Sequence, residues 1–152
     1  MDSAKGPVIF QDVFRVTEQD PDGRVYQRVS RVVCVNAAKT ARIAVDVNVE
    51  EFELENGTEL TIALAKTLNL DGSPEPPIYD HSVYHKQTLM SAFDYVTHGK
   101  VYQCDAADKS GSSSNVVVYI SCGGLLAEIR GSADSLKGVH FNDNVYMLMK
   151  RR

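Results

Sequence analysis

Between Arg42 and Val49 the chain reads RIAVDVNV, so Ile43, Val45, Val47 and Val49 fall on one side and Arg42, Ala44, Asp46 and Asn48 on the other. A strict period of two with β-branched residues on one side is the pattern of a strand with one dry face and one wet face. The same period returns in ELTIAL (59 to 64), where Leu60, Ile62 and Leu64 share a face. Further runs rich in Val, Ile, Tyr and Phe lie at 8 to 16, 25 to 35, 93 to 105, 116 to 122, 125 to 130 and 143 to 150. Turn-forming residues separate them, and helical patterning is confined to single turns near 85 to 93 and 131 to 141. A chain built from so many half-buried strands has to protect its sheet edges, and closing the sheet removes them. The expected fold is therefore all-β: a single closed antiparallel β-barrel of about eight strands over residues 1–152, with a long loop at about 67–91.

The connections carry their own signals. Asp20-Pro21-Asp22-Gly23 is a tight-turn sequence, and Asn56-Gly57 predicts that 41 to 65 folds as a hairpin. Gly99 marks a bulge within its strand. The pair Gly123-Gly124 interrupts VVVYISCGGLLAEIRG, where glycine weakens a strand. The reading is a bend or bulge at a barrel corner, with Leu125 and Leu126 packing on either side of the backbone. Three prolines and little periodicity characterise the stretch from Asn69 to about Ser91, and DKSGSSSN (108 to 115) reads as a polar loop. No internal repeat at a fixed period and no second domain are visible.

Composition narrows the functional classes. No run approaches the roughly 20 apolar residues of a membrane-spanning helix, and MDSAKGPVIF lacks the apolar stretch of a secretory signal. The expectation is an intracellular protein with no membrane partner. Cys34, Cys104 and Cys122 are odd in number and widely spaced, which reads as small buried thiols in a reducing compartment. A net charge of -4 argues against a protein whose main task is gripping phosphates. One local exception stands out: Arg24, Arg28, Arg31, Lys39 and Arg42 fall in a single window.

No nucleophile elbow, P-loop, dinucleotide fingerprint, HExxH or CxxC occurs. His81 and His85 stand four apart but in the proline-rich stretch, without a third ligand at useful spacing. The carboxylates at Glu50-Glu51, Glu53 and Glu55 read as solvated strand ends. No catalytic residue, metal site, cofactor or small-molecule ligand is expected, which leaves binding. A small barrel presents either a docking surface to proteins or a basic, aromatic-bearing strand face to oligonucleotides, and both stay open at this level.

The ordered segments DVFRV, DPDG and RVSR, then DVN, LNLDG, FDYVTHGKVY, GGLL and the final VYMLMKRR narrow the choice. Over nearly the whole chain their order and spacing resemble subunit eight of the eukaryotic nuclear RNA polymerases, the small subunit shared by polymerases I, II and III. The resemblance implies an OB-fold-like barrel related to two OB-like halves. It implies a non-catalytic structural and assembly subunit that docks on the largest subunit of RNA polymerases I, II and III, away from the active centre. It also implies a nuclear protein, present in the nucleolus and assembled in the cytoplasm.

Weak, sequence-independent single-stranded DNA binding is associated with the segment matching about Asp20 to Ala44, which holds Arg24, Arg28, Arg31, Lys39 and Arg42. Gly123, Gly124, Leu125 and Leu126 form the candidate docking strand. Next to it the chain departs from the family pattern: Cys122 replaces a usual aromatic, and Ala127 and Glu128 follow the leucines where methionine and arginine are common. The alternative expectation is a free-standing oligonucleotide-binding barrel.

Overall fold

The computed structural model describes residues 8–21, 28–67, 89–106 and 115–152. Eight strands form: β1 (Val8–Gln19), β2 (Val29–Asn36), β3 (Arg42–Asn48), β4 (Glu59–Ala65), β5 (Tyr95–Ala106), β6 (Asn115–Cys122), β7 (Leu125–Ser132) and β8 (Asn144–Arg151). They close into one antiparallel barrel in the order β1-β2-β3-β7-β6-β5-β8-β4. The alternation in β3 does what its sequence implies: Ile43, Val45 and Val47 are buried and the residues between them are not. A barrel this narrow has no lumen, because side chains fill it. Phe14, Leu60, Ile62, Ile120, Ile129 and Met147 are among those in the single interior cluster.

The order contradicts one local expectation. β3 and β4 do not form a hairpin; β3 pairs with β2 and β7, and β4 pairs with β1 and β8. The connection between them carries Phe52 and Leu54, both buried in the core, so apolar burial draws this segment inward. In the β7–β8 connection Leu136 and Val139 do the same. There Ser132 Oγ accepts from Ser135 N at 3.1 Å, the turn that its sequence suggests.

A repeat that residue identities conceal lies in this order. β4 returns to lie beside β1, giving β4-β1-β2-β3, and β8 returns beside β5, giving β8-β5-β6-β7. Each half is a four-stranded Greek key. Details match as well as topology. The register of β1 against β2 slips between Val16 and Glu18, and that of β5 against β6 slips between Val101 and Gln103. Each slip is clasped by the connection into the following fourth strand. Val16 N donates to Thr58 O at 2.9 Å and Val16 O accepts from Gly57 N at 2.8 Å; Val101 N donates to Asp143 O at 2.9 Å and Val101 O accepts from Asn142 N at 2.8 Å. Gly57 and Asn142 both have left-handed backbones, with φ of 91° and 74°.

The two glycine expectations exchange places. Gly123 and Gly124 have φ of 61° and 94°, and Cys122 pairs with Leu125 across them. Positive φ at both central residues of a two-residue loop is the hairpin turn that matches strand twist, so the pair ends one strand and starts the next and is neither bulge nor corner. A Cβ at either glycine would meet nothing within 4 Å. Close approach belongs instead to Gly99, where a Cβ would lie 2.3 Å from Ser121 O and 2.6 Å from Cys122 Sγ. The bulge expected at Gly99 sits at Tyr102, where the register slips.

Of the long loop expected at about 67–91, the described part includes a 3₁₀ turn at Leu89–Ala92, within the stretch read as one helical turn. The remainder, with His81 and His85, lies outside the described residues. So does the polar loop before Asn115.

Candidate interaction surface

The basic window divides in two. Arg24 lies outside the described residues. Arg28 pairs with Glu50 at 3.2 Å, both exposed. Arg31, on the outer face of β2, grips Asp46 of β3 with two hydrogen bonds, from Nε at 2.8 Å and from its terminal nitrogen at 3.1 Å. Asp46 also accepts from the backbone N of Leu126 at 3.0 Å, so this carboxylate ties β2 to the start of β7. A guanidinium held in a fork by its own carboxylate has less charge to offer a phosphate backbone.

Lys39 and Arg42 stand apart from that arrangement. Lys39 occupies the β2–β3 turn with φ of 59°. Buried Asn36 builds this turn: its Oδ1 accepts from Thr40 N at 2.8 Å and Ala41 N at 3.0 Å, and its Nδ2 donates to Asp12 at 3.0 Å and Thr40 Oγ1 at 2.8 Å. Arg42 begins β3 directly opposite Arg130 of β7. Both reach the same carboxylate, Glu128, at 3.7 and 2.8 Å. Arg130 and Asn115 were not among the sequence candidates; only the β3–β7 and β6–β7 pairings bring them to Lys39 and Arg42.

The second surface adjoins the glycine hairpin. Leu125 is half-buried and Leu126 is 40% exposed, so the two leucines lie on either side of the backbone as expected, with Leu126 left largely unpacked. Leu126 lines a depression of about 140 Å³ with Tyr102, Tyr119, Ala44, Arg31 and Glu128. Tyr102 is 41% exposed, and its ring centroid lies 6.0 Å from that of Tyr119. Alternation from buried Val101 turns Tyr102 outward, and the register slip falls at this residue. Phe141, on the connection that clasps Val101, is 67% exposed. The departures from the family pattern now have places: Cys122 lies under Gly99, Ala127 faces the interior, and Glu128 balances two arginines outside.

The three thiols are not alike. Cys34 is fully buried, and burial pushes its thiol up to about 12. Cys122 is buried and raised for the same reason. Cys104 is exposed, which corrects the expectation of three buried thiols: it lies on β5 beyond the bulge, opposite Val118 of β6.

Comparison with known proteins finds relatives over nearly the whole chain. A model of the family described as RNA polymerase Rpb8 matches residues 11–151. The Dictyostelium discoideum protein named DNA-directed RNA polymerases I, II, and III subunit rpabc3 is 35% identical over 145 residues, covering 95% of this chain and 97% of that one. Subunit 8B of RNA polymerases II, IV and V from Arabidopsis thaliana is 31% identical over 148 residues, covering 97% and 99%. Subunit RPABC3 of RNA polymerases I, II and III from Saccharomyces cerevisiae is 30% identical over 152 residues, covering 94% and 97%.

Proposed function

The chain belongs to the RNA polymerase Rpb8 family, a family of non-catalytic polymerase subunits, and from that premise we propose that it is the small subunit shared by nuclear RNA polymerases I, II and III, docking on the largest subunit. It works in the nucleus, including the nucleolus, after assembly in the cytoplasm. One observation carries the docking reading: Leu126 and Tyr102, two of the large apolar side chains left exposed on the barrel, line one depression rimmed by Arg31 and Glu128. Aromatic anchors in a shallow apolar centre with a charged rim are the chemistry of a protein-binding hot spot. The glycine hairpin and Leu125 hold Leu126 at its edge, while the Asp46 hydrogen bond to Leu126 N keeps that edge rigid.

Affinity purification of the tagged chain recovers the largest subunit of all three enzymes on this reading. Leu126→Asp loses that recovery while the protein stays folded. Recovery of none by the unaltered chain overturns the assembly role, and full recovery by Leu126→Asp moves the docking face elsewhere. The affinity for single-stranded DNA is a minor part of the proposal. With Arg28 and Arg31 engaged by carboxylates and Arg42 sharing Glu128 with Arg130, it rests chiefly on Lys39 and falls with added salt. A free-standing oligonucleotide-binding role is supported by no further observation.

A further inference from the structure

The β3–β7 seam contains an arrangement that a barrel wall does not need. Arg42 and Arg130 face each other directly across the two strands, both exposed, and like charges so placed repel. Glu128 is the one carboxylate paired with them among the described residues. Lys39 makes no ion pair among the described residues, and together with Arg42, Arg130 and Asn115 it lines an open groove of about 200 Å³. Lys39, Arg42 and Arg130 face Glu128 and, one hydrogen bond behind Thr40, Asp12, so among the described residues positive charge is in excess around a space suited to one small anion. The turn carrying Lys39 is already ordered by Asn36, so a ligand would not have to order it.

We propose that this groove is a binding site for a terminal phosphate group, free or on a monoester, taken through the two opposed guanidinium groups and Lys39, with the Asn115 side chain at its rim. The two opposed guanidinium forks select the ligand. A terminal phosphate, free or on a monoester, presents three acceptor oxygens and close to two negative charges at neutral pH, which suits paired forks in a groove with an excess of positive charge. A phosphodiester carries one charge per unit, and a nucleic-acid strand needs a basic track along which successive phosphates can lie. Arg28 and Arg31 do not extend such a track, because Glu50 and Asp46 occupy them. The free ion and the phosphorylated side chain share the recognised group.

The full-length chain, ¹⁵N-labelled, is titrated at constant ionic strength with inorganic phosphate, O-phosphoserine, dimethyl phosphate and oligothymidylate, following amide and guanidinium resonances. Phosphate gives saturable shifts centred on Lys39, Arg42, Arg130 and Asn115, with a dissociation constant on the order of millimolar. Arg42→Gln and Arg130→Gln each weaken binding about tenfold. Lys39→Asn weakens it too, using a residue that tolerates the left-handed turn, and Arg28→Gln leaves it unchanged. Melting curves of each variant separate lost binding from lost fold. Binding of phosphate without phosphoserine identifies the free ion as the source; binding of both identifies the ester. Shifts that do not saturate, equal binding of dimethyl phosphate, or engagement of the groove by oligothymidylate but not by phosphate overturns the proposal.

Discussion

The barrel is sewn shut along two seams where its halves meet, and they are finished in opposite ways. At the β4–β8 seam the outward residues Ala63, Ala65 and Leu148 are as inaccessible as the core, packed with Val8, Phe93, Val96 and Tyr146 in a second apolar cluster. At the β3–β7 seam the outward residues are Arg42, Ala44, Glu128 and Arg130, and none is buried. One seam joins the third strands of the two Greek keys and the other joins the fourth. Their side chains differ: small and apolar residues let one wall be covered, while charged ones keep the other in water. The groove takes Arg42 and Arg130 from one end of the open seam, and the Tyr102–Leu126 depression takes Ala44 and Glu128 from the other.

The largest contrast is in stability. Leu148→Ala removes a fully buried side chain and costs about 3 kcal/mol in urea unfolding. Arg42→Ala on the open seam stays within about 0.5 kcal/mol. Equal costs would break the distinction between covered and open walls. Backbone constraints come next. Gly99→Ala drives a Cβ into Ser121 O and costs roughly 1 to 3 kcal/mol. Gly124→Val meets no atom, yet its positive φ costs about 1 to 2 kcal/mol, and Gly124→Asn recovers much of that loss.

A third effect tests whether the interior beneath the open seam is as dry as that beneath the covered one. Cys34, next to β3, has its thiol raised by burial from 9.0 to about 12. The folded state therefore keeps a proton that the unfolded chain gives up. Stability is fully present below pH 9 and is lost progressively from there towards pH 12, by about 1 kcal/mol per pH unit at first. Cys34→Ala flattens that alkaline decline; an unchanged slope means water reaches the thiol. The smallest change is Glu128→Ala, worth under about 1 kcal/mol in stability because its ion pairs are partly exposed. The same change tightens phosphate binding, which the titration reads directly.

The strands were legible because each is decided by its own alternation: all eight predicted runs became strands, with ends shifted by a few residues. Pairing was not, since nothing local to 41–65 says that β4 will choose β1 and β8 over β3. The glycine pair was noticed for the right reason and assigned the wrong one: φ is a backbone property, and composition does not distinguish a turn from a bend. The basic window failed as a unit for an electrostatic reason. Glu50, Asp46 and Glu128 decide which cations are spent, and Glu128 reaches Arg42 only through the fold. The internal repeat, implied only by the resemblance to a barrel of two OB-like halves, leaves no period in the sequence because its clasp constrains dihedrals. Gly57 and Asn142 are different letters filling the same left-handed position.

The exchange of strands between halves also has a consequence during synthesis. When the ribosome has made β1 to β4, that half has its own four-stranded key but two bare edges, because the partners of β3 and β4 are β7 and β8. The nascent chain must carry those edges unpaired through the translation of the whole second half, when a neighbouring copy offers the same backbone hydrogen bonds as the missing strands. The order of synthesis thus leaves the outer edges of β3 and β4 as the last part of the first half to be closed, when β7 and β8 arrive.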